Sequence, residues 1–238
     1  MAPRANCLFS YYGSKSHLVQ HYPKPKFDTI IEPFAGGGVY SLRYAERQVI
    51  LNELNPEVYG LWKYLIETPV DDVLEAVPRS VKKGDKPTDI VPSDSPEGLR
   101  TLIRANVNMG TLGTAGKHEF VTWFAELHWH QVHQRLEKFL PKIRHWSVTN
   151  LDYAWSPIIP NATYFVDPPY NNSGGGRYRF KGLDYEALGN WCRSLPGQVL
   201  VCENEGADWL PFKPLARTIN RGGANKAMEM LWTNDSDS

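Results

Sequence analysis

Residues Phe27-Asp-Thr-Ile-Ile-Glu-Pro-Phe-Ala-Gly-Gly-Gly38 join an apolar run to a glycine-rich turn, and a second apolar run, Gln48-Val-Ile-Leu-Asn52, follows after a short helical stretch. That order is one βαβα unit, and a parallel α/β sheet is its expected outcome. Pro56 suits the first position of the next helix, and Val58, Leu61, Trp62, Leu65 and Ile66 then recur at the spacing of one buried helical face. That helix is expected to pack on the sheet.

Working outward, the pattern breaks after Glu67. Pro69, Pro78, Pro87, Pro92 and Pro96 interrupt a polar stretch that no central strand would tolerate. Two helical patterns follow, at 97–106 and 119–140, the second with Phe120, Trp123, Phe124 and Leu127 on one face. Strand signals resume at 146–149, 162–166, 198–202, 215–219 and 227–232, with a helical pattern at 184–195. The chain therefore reads as one α/β domain in two parts, 1–67 and 146–238, split by an inserted, mostly helical region at 68–145.

Length and composition bound the function. At 238 residues, 27.1 kDa and 42% hydrophobic content the chain can bury one substantial core, which excludes a disordered tail. The 26 basic and 26 acidic residues balance, so any nucleic-acid contact is expected to use local patches rather than net charge. With no leader pattern and no long apolar run, an intracellular, cytoplasmic protein without a membrane partner is expected. Cys7, Cys192 and Cys202 are widely spaced and read as reduced. His128, His130 and His133 lack a completing ligand set, so no metal is expected and a polar helix surface is the simpler reading.

The sharpest chemical feature is Asp167-Pro168-Pro169-Tyr170, directly after an apolar strand. At the carboxyl end of a parallel strand such a turn faces the ligand crevice. It suits methyl transfer to an exocyclic amine of a nucleobase, whose nitrogen lone pair is delocalised into the ring. Asp167 and the Pro168 carbonyl can accept the two amino hydrogens, proline fixes φ and so holds that carbonyl, and Tyr170 offers a face for a base swung out of the duplex. A second constellation pairs Gly36, Gly37 and Gly38 with Glu53, at a spacing suited to gripping a ribose diol. A dinucleotide enzyme would fit that much equally well, although the consecutive glycines and Ser41 depart from the G-x-G-x-x-G pattern.

Tyr11-Tyr-Gly-Ser-Lys15, Glu32-Pro-Phe-Ala-Gly36, Asn52-Glu-Leu-Asn55, Asn150-Leu-Asp-Tyr153 and Asp167-Pro-Pro-Tyr170 occur in the order in which the Dam-like, alpha-group DNA adenine methyltransferases carry similar segments. The chain resembles that family over most of its length outside 68–145, and the closing Glu229-Met-Leu-Trp-Thr-Asn234 resembles its last strand pair. The resemblance implies a Rossmann-like α/β fold and S-adenosylmethionine as donor. It implies that Tyr11 and Lys15 form the N-terminal cofactor motif, Lys15 near the methionine moiety. Glu32, Phe34, Gly36 and Gly38 would line the methionine end, Glu53 would hold the ribose, Asp152 would reach the cofactor adenine, and Asp167 would lie between donor and target. An exposed lysine and a helix cap are the plainer readings of Lys15 and Asp152.

The resemblance implies double-stranded DNA as the partner, with 1–67 and 146–238 as the two parts of the catalytic domain and 68–145 as the target-recognition region. Arg104-Ala-Asn-Val-Asn108-Met-Gly110 resembles, faintly, the family's arginine- and asparagine-rich segment, and Lys82, Lys83, Arg104, Asn108 and Lys117 are candidate DNA contacts. In Arg177-Tyr178-Arg179-Phe-Lys181 cations alternate with aromatics, which suits phosphate contact and base stacking; a charge-protected strand edge is the alternative. The sequence thus points to a site-specific adenine-N6 DNA methyltransferase, bacterial or phage-encoded, acting as a monomer or weak dimer. A cytosine-N4 enzyme, or a subunit that binds nucleic acid or cofactor without catalysis, is the alternative. RNA or a protein amide is a more distant substrate.

Overall fold

The computed structural model describes residues 7–107, 120–171, 182–217 and 228–235. The first βαβα unit forms as its sequence predicts, with β1 (Thr29–Glu32), α1 (Val39–Arg43), β2 (Gln48–Asn52) and α2 (Pro56–Glu67). Pro56 opens α2, the Asn55 side chain accepts the Glu57 N–H at 3.1 Å, and the five residues read as its apolar face are its buried residues.

Five further strands, β3 (Ser147–Thr149), β4 (Ala162–Val166), β5 (Gln198–Asn204), β6 (Lys213–Arg217) and β7 (Met228–Thr233), complete a seven-stranded sheet of order β3-β2-β1-β4-β5-β7-β6. The first five are parallel, and β7 lies antiparallel between β5 and β6. This is the Rossmann-like α/β class read from the sequence, closed by an antiparallel pair. Strand order reverses between β1 and β4, where Ile30 stands beside Thr163. A crevice opens at such a reversal because the connections leave on opposite sides of the sheet.

The sheet separates two cores. On one face Ile30, Leu51, Phe165 and Leu200 pack with Trp62 and Leu65 of α2. The helices of the segment read as an insertion join the same core: α3 (Val70–Ala76), α4 (Pro87–Ile90), α5 (Glu97–Val107), α6 (Trp123–His128) and α7 (His130–Phe139) contribute, among others, Leu102 and Leu136. On the other face Ile31, Tyr164, Val166, Val199 and Val201 pack with Leu188 and Cys192 of α8 (Tyr185–Ser194). All three cysteines are buried and free. Among the described residues no helix is long and apolar enough to cross a membrane.

The single helical pattern at 119–140 is in fact two helices. The break falls at Trp129, whose buried indole donates to the Pro78 carbonyl at 2.7 Å, while His133 Nε2 meets the same carbonyl at 2.9 Å. His133 is therefore buried and structural, not part of a polar helix surface. Because Ala125 and Trp129 are the residues turned inward here, Phe120, Trp123, Phe124 and Leu127 stand on the exposed side.

Candidate active site

The glycine turn after β1 is built by close approach. Gly36 and Gly38 have φ of +46° and +56°, and a Cβ at either would come within 2.8 Å of the Tyr11 ring or 2.7 Å of the Trp62 ring. The Trp62 indole donates to the Gly36 carbonyl at 2.9 Å, so a core residue of α2 holds the turn from below. Glu53, at the end of β2, spans the same turn: its Oε2 accepts the Gly36 N–H at 2.8 Å and its Oε1 the Asn55 N–H at 2.9 Å. Glu32 accepts the Ser41 N–H at 2.8 Å from the first turns of α1. Burial raises the carboxyl pKa of Glu53 and pushes that of Glu32 up to about 8, because the charged form has lost its water.

Beside it, at the end of β4, the Asp167–Tyr170 turn is held from four directions. Lys15 Nζ is 3.1 Å from Asp167 Oδ1 and 4.1 Å above the Tyr170 ring centre. The Tyr170 hydroxyl donates to Glu229 Oε1 at 2.7 Å, the Tyr185 hydroxyl to the Pro169 carbonyl at 2.6 Å, and the Asn171 N–H to Glu203 Oε1 at 2.7 Å. Shielding from water raises the Asp167 pKa, and Lys15 opposes that rise.

Every residue that the resemblance assigns to the donor, from Tyr11 to Asp167, lines one cavity of about 380 Å³ between the two turns, together with Pro169. Lys15 lines it while paired with Asp167, rather than standing apart as an exposed side chain. Asp152 does both things read for it: it caps the short 3-10 turn Tyr153–Trp155 by accepting the Ala154 N–H at 3.0 Å, and it lines the cavity. Sequence reading missed Tyr153, whose ring stacks on Phe34 at 5.5 Å, and Ser14, Leu54 and Leu183 on the walls. The cavity's chemistry fits the implied donor. Glycines leave room beside backbone amides, Phe34 and Tyr153 offer flat apolar surface, carboxyls suit a cationic ligand, and the buried Ser14 Oγ has no hydrogen-bond partner among the described residues.

Of the candidate DNA contacts, Lys82, Lys83 and Arg104 are among the described residues, and none of the three lines the cavity. Lys82 and Lys83 are exposed in a turn that the Lys82 N–H closes on Asp85 Oδ2 at 2.8 Å. Arg104 lies against α2, 3.7 Å from Glu57 Oε2 and 3.1 Å from Thr101 Oγ1. Asn108, Lys117, Arg177, Tyr178 and Arg179 lie outside the described residues. Glu203, Glu229, Tyr22 and Tyr185 went unassigned; Glu229 and Glu203 sit in strand segments, and no local pattern ties them to the Asp167 turn.

Residues 11–89 match the family model of the D12 class N6 adenine-specific DNA methyltransferases. The resemblance read from the sequence is borne out over that segment, which carries the glycine turn and Glu53 and ends before Asp152 and Asp167. Two of the solved structures similar to the chain are methyltransferase candidates. One is the Escherichia coli protein yhhF, described as a candidate methyltransferase, at 12% identity and TM-score 0.37 over 94% of this chain and 81% of that one. The other is a candidate methyltransferase from Pseudomonas syringae, at 11% identity and TM-score 0.38 over 92% of this chain and 96% of that one. No curated protein matches the sequence.

Proposed function

We propose, from the likeness of residues 11–89 to the D12 class N6 adenine-specific DNA methyltransferases, that the chain transfers a methyl group from S-adenosylmethionine to the exocyclic N6 amine of adenine in DNA. One observation carries the reading: the glycine turn of β1 and the Asp167–Tyr170 turn of β4 share a single cavity at the point where strand order reverses. Donor and acceptor sites are then neighbours, as direct transfer requires.

The donor, when bound, supplies an electrophilic methyl on a sulfonium. Glu53 would hold its ribose hydroxyls, Asp152 and Tyr153 would meet its flat heterocycle, and Glu32 and Phe34 would line its methionine end. Asp167 and the Pro168 carbonyl accept the two amino hydrogens of the target, which turns the nitrogen lone pair out of the ring plane. In the transfer the C–S electron pair would remain with the departing sulfide, and Asp167 would take the surplus proton from the newly methylated nitrogen. No strong base is needed, because the amine becomes acidic only as the methyl group arrives. Tyr185 supports this geometry by taking the neighbouring Pro169 carbonyl. Aspartate at position 167 favours adenine, since similar cytosine-N4 enzymes more often carry serine there.

The test is incubation with tritiated S-adenosylmethionine and unmethylated duplex DNA, followed by digestion and chromatography. Label in N6-methyladenine is expected, and Asp167→Ala should reduce it by about 10²–10³-fold or more with the melting temperature retained. Label in N4-methylcytosine would replace the adenine reading, and donor binding with no label in DNA, RNA or protein would replace catalysis altogether.

A further inference from the structure

Glu229, on β7, has no part in the assignments above, yet it is 1% exposed and three groups converge on its Oε1: the Tyr22 hydroxyl at 2.7 Å, the Tyr170 hydroxyl at 2.7 Å and Lys15 Nζ at 4.0 Å. A buried carboxyl is costly unless paired, and packing alone would be better served by an apolar side chain. Its partners explain its place. Lys15, with its side chain 10% exposed, sits 3.1 Å from Asp167 and 4.1 Å above Tyr170. Those are the groups that, on the adenine-methyltransferase reading, receive the target amine and stack its ring. The ammonium and the base cannot both have them. When the amine takes Asp167, Lys15 needs another counter-ion in a site that offers it little water, and Glu229 already stands at 4.0 Å.

We propose that Glu229 is the positioning residue of the target-base site: it fixes Tyr170 by its hydroxyl and gives Lys15 a second anionic seat, which frees Asp167 for the incoming amine. The proposal rests on the methyl-transfer reading. Two variants separate its halves. Glu229→Gln keeps an acceptor for both tyrosines and loses the charge, whereas Tyr170→Phe keeps the ring and loses only the donated hydrogen bond.

In both, kcat for DNA labelling should fall at least about ten-fold while the dissociation constant for S-adenosylmethionine stays within about two-fold of wild type. A residue that served only the fold would not produce that split. Turnover within two-fold of wild type in either variant overturns the positioning role and leaves the methyltransferase reading intact. Equal losses in donor affinity and turnover overturn it too, by placing Glu229 in donor binding or folding. If Glu229→Gln does not fold, Tyr170→Phe decides. A wild-type protein that labels no DNA removes the underlying reading, and this role with it.

Discussion

At Glu32 a carboxyl with 2% exposure has one strong backbone donor, the Ser41 N–H, and that is too little to replace its water. Its pKa consequently stands at about 8 in the folded chain against an ordinary 4.5. Between those values the folded state keeps a proton that the unfolded chain has lost. The stabilisation this gives is whole below about pH 4.5 and is lost as pH rises through about 8. Urea unfolding midpoints should therefore decline over that interval, and Glu32→Gln, which has no proton to lose, should flatten the decline. Parallel curves for the two proteins would show that Glu32 ionises as freely in the fold as outside it. The residue's membership of the turn is visible in the sequence; its protonation is not, because it depends on Ser41 and on the covering core.

Elements place these residues, and in the glycine turn the placement is tight. Gly38→Ala would put a methyl group 2.7 Å from the buried Trp62 ring on a backbone with φ of +56°. Left-handed strain and overpacking together should cost about 2–4 kcal/mol, read as a lower denaturation midpoint, with weaker donor binding because the Gly36 carbonyl depends on the same indole. An unchanged midpoint would mean that Trp62 moves aside freely.

This turn is legible because its signal is local, an apolar run, consecutive glycines and a carboxylate one strand later, whereas the Tyr11 and Trp62 rings that hold it carry no such signal. The Asp167 turn was legible for the same reason. The helices of 119–140 were not. Their joint is set by the Pro78 carbonyl, which draws in Trp129 and His133 from across the fold and leaves the apolar stripe of α6 facing outward. Periodicity gives a stripe but not the direction in which it faces.

Across the molecule the same limit reappears as electrostatics. Tyr170 meets Glu229 at a separation of 59 residues and Asn171 meets Glu203 at 32, pairings that only the sheet order creates. The chain carries no net charge, yet the fold gathers Glu32, Glu53 and Asp167 on one crevice, and burial holds each above its ordinary carboxyl pKa. Such a site is primed for a cation. The proposed donor carries a sulfonium and an ammonium against one carboxylate, so its arrival favours ionisation of these groups and should expel protons.

Calorimetric binding enthalpies at pH 7 should therefore differ between phosphate and Tris by an amount equivalent to about half a proton to one proton per donor bound. S-adenosylhomocysteine, whose neutral sulfide removes one positive charge, should release less, and Glu32→Gln should remove a large share because burial pushes the Glu32 carboxyl up to about 8. Enthalpies that agree between the two buffers would mean that the crevice is already fully ionised and attracts its ligand through shape and hydrogen bonds instead.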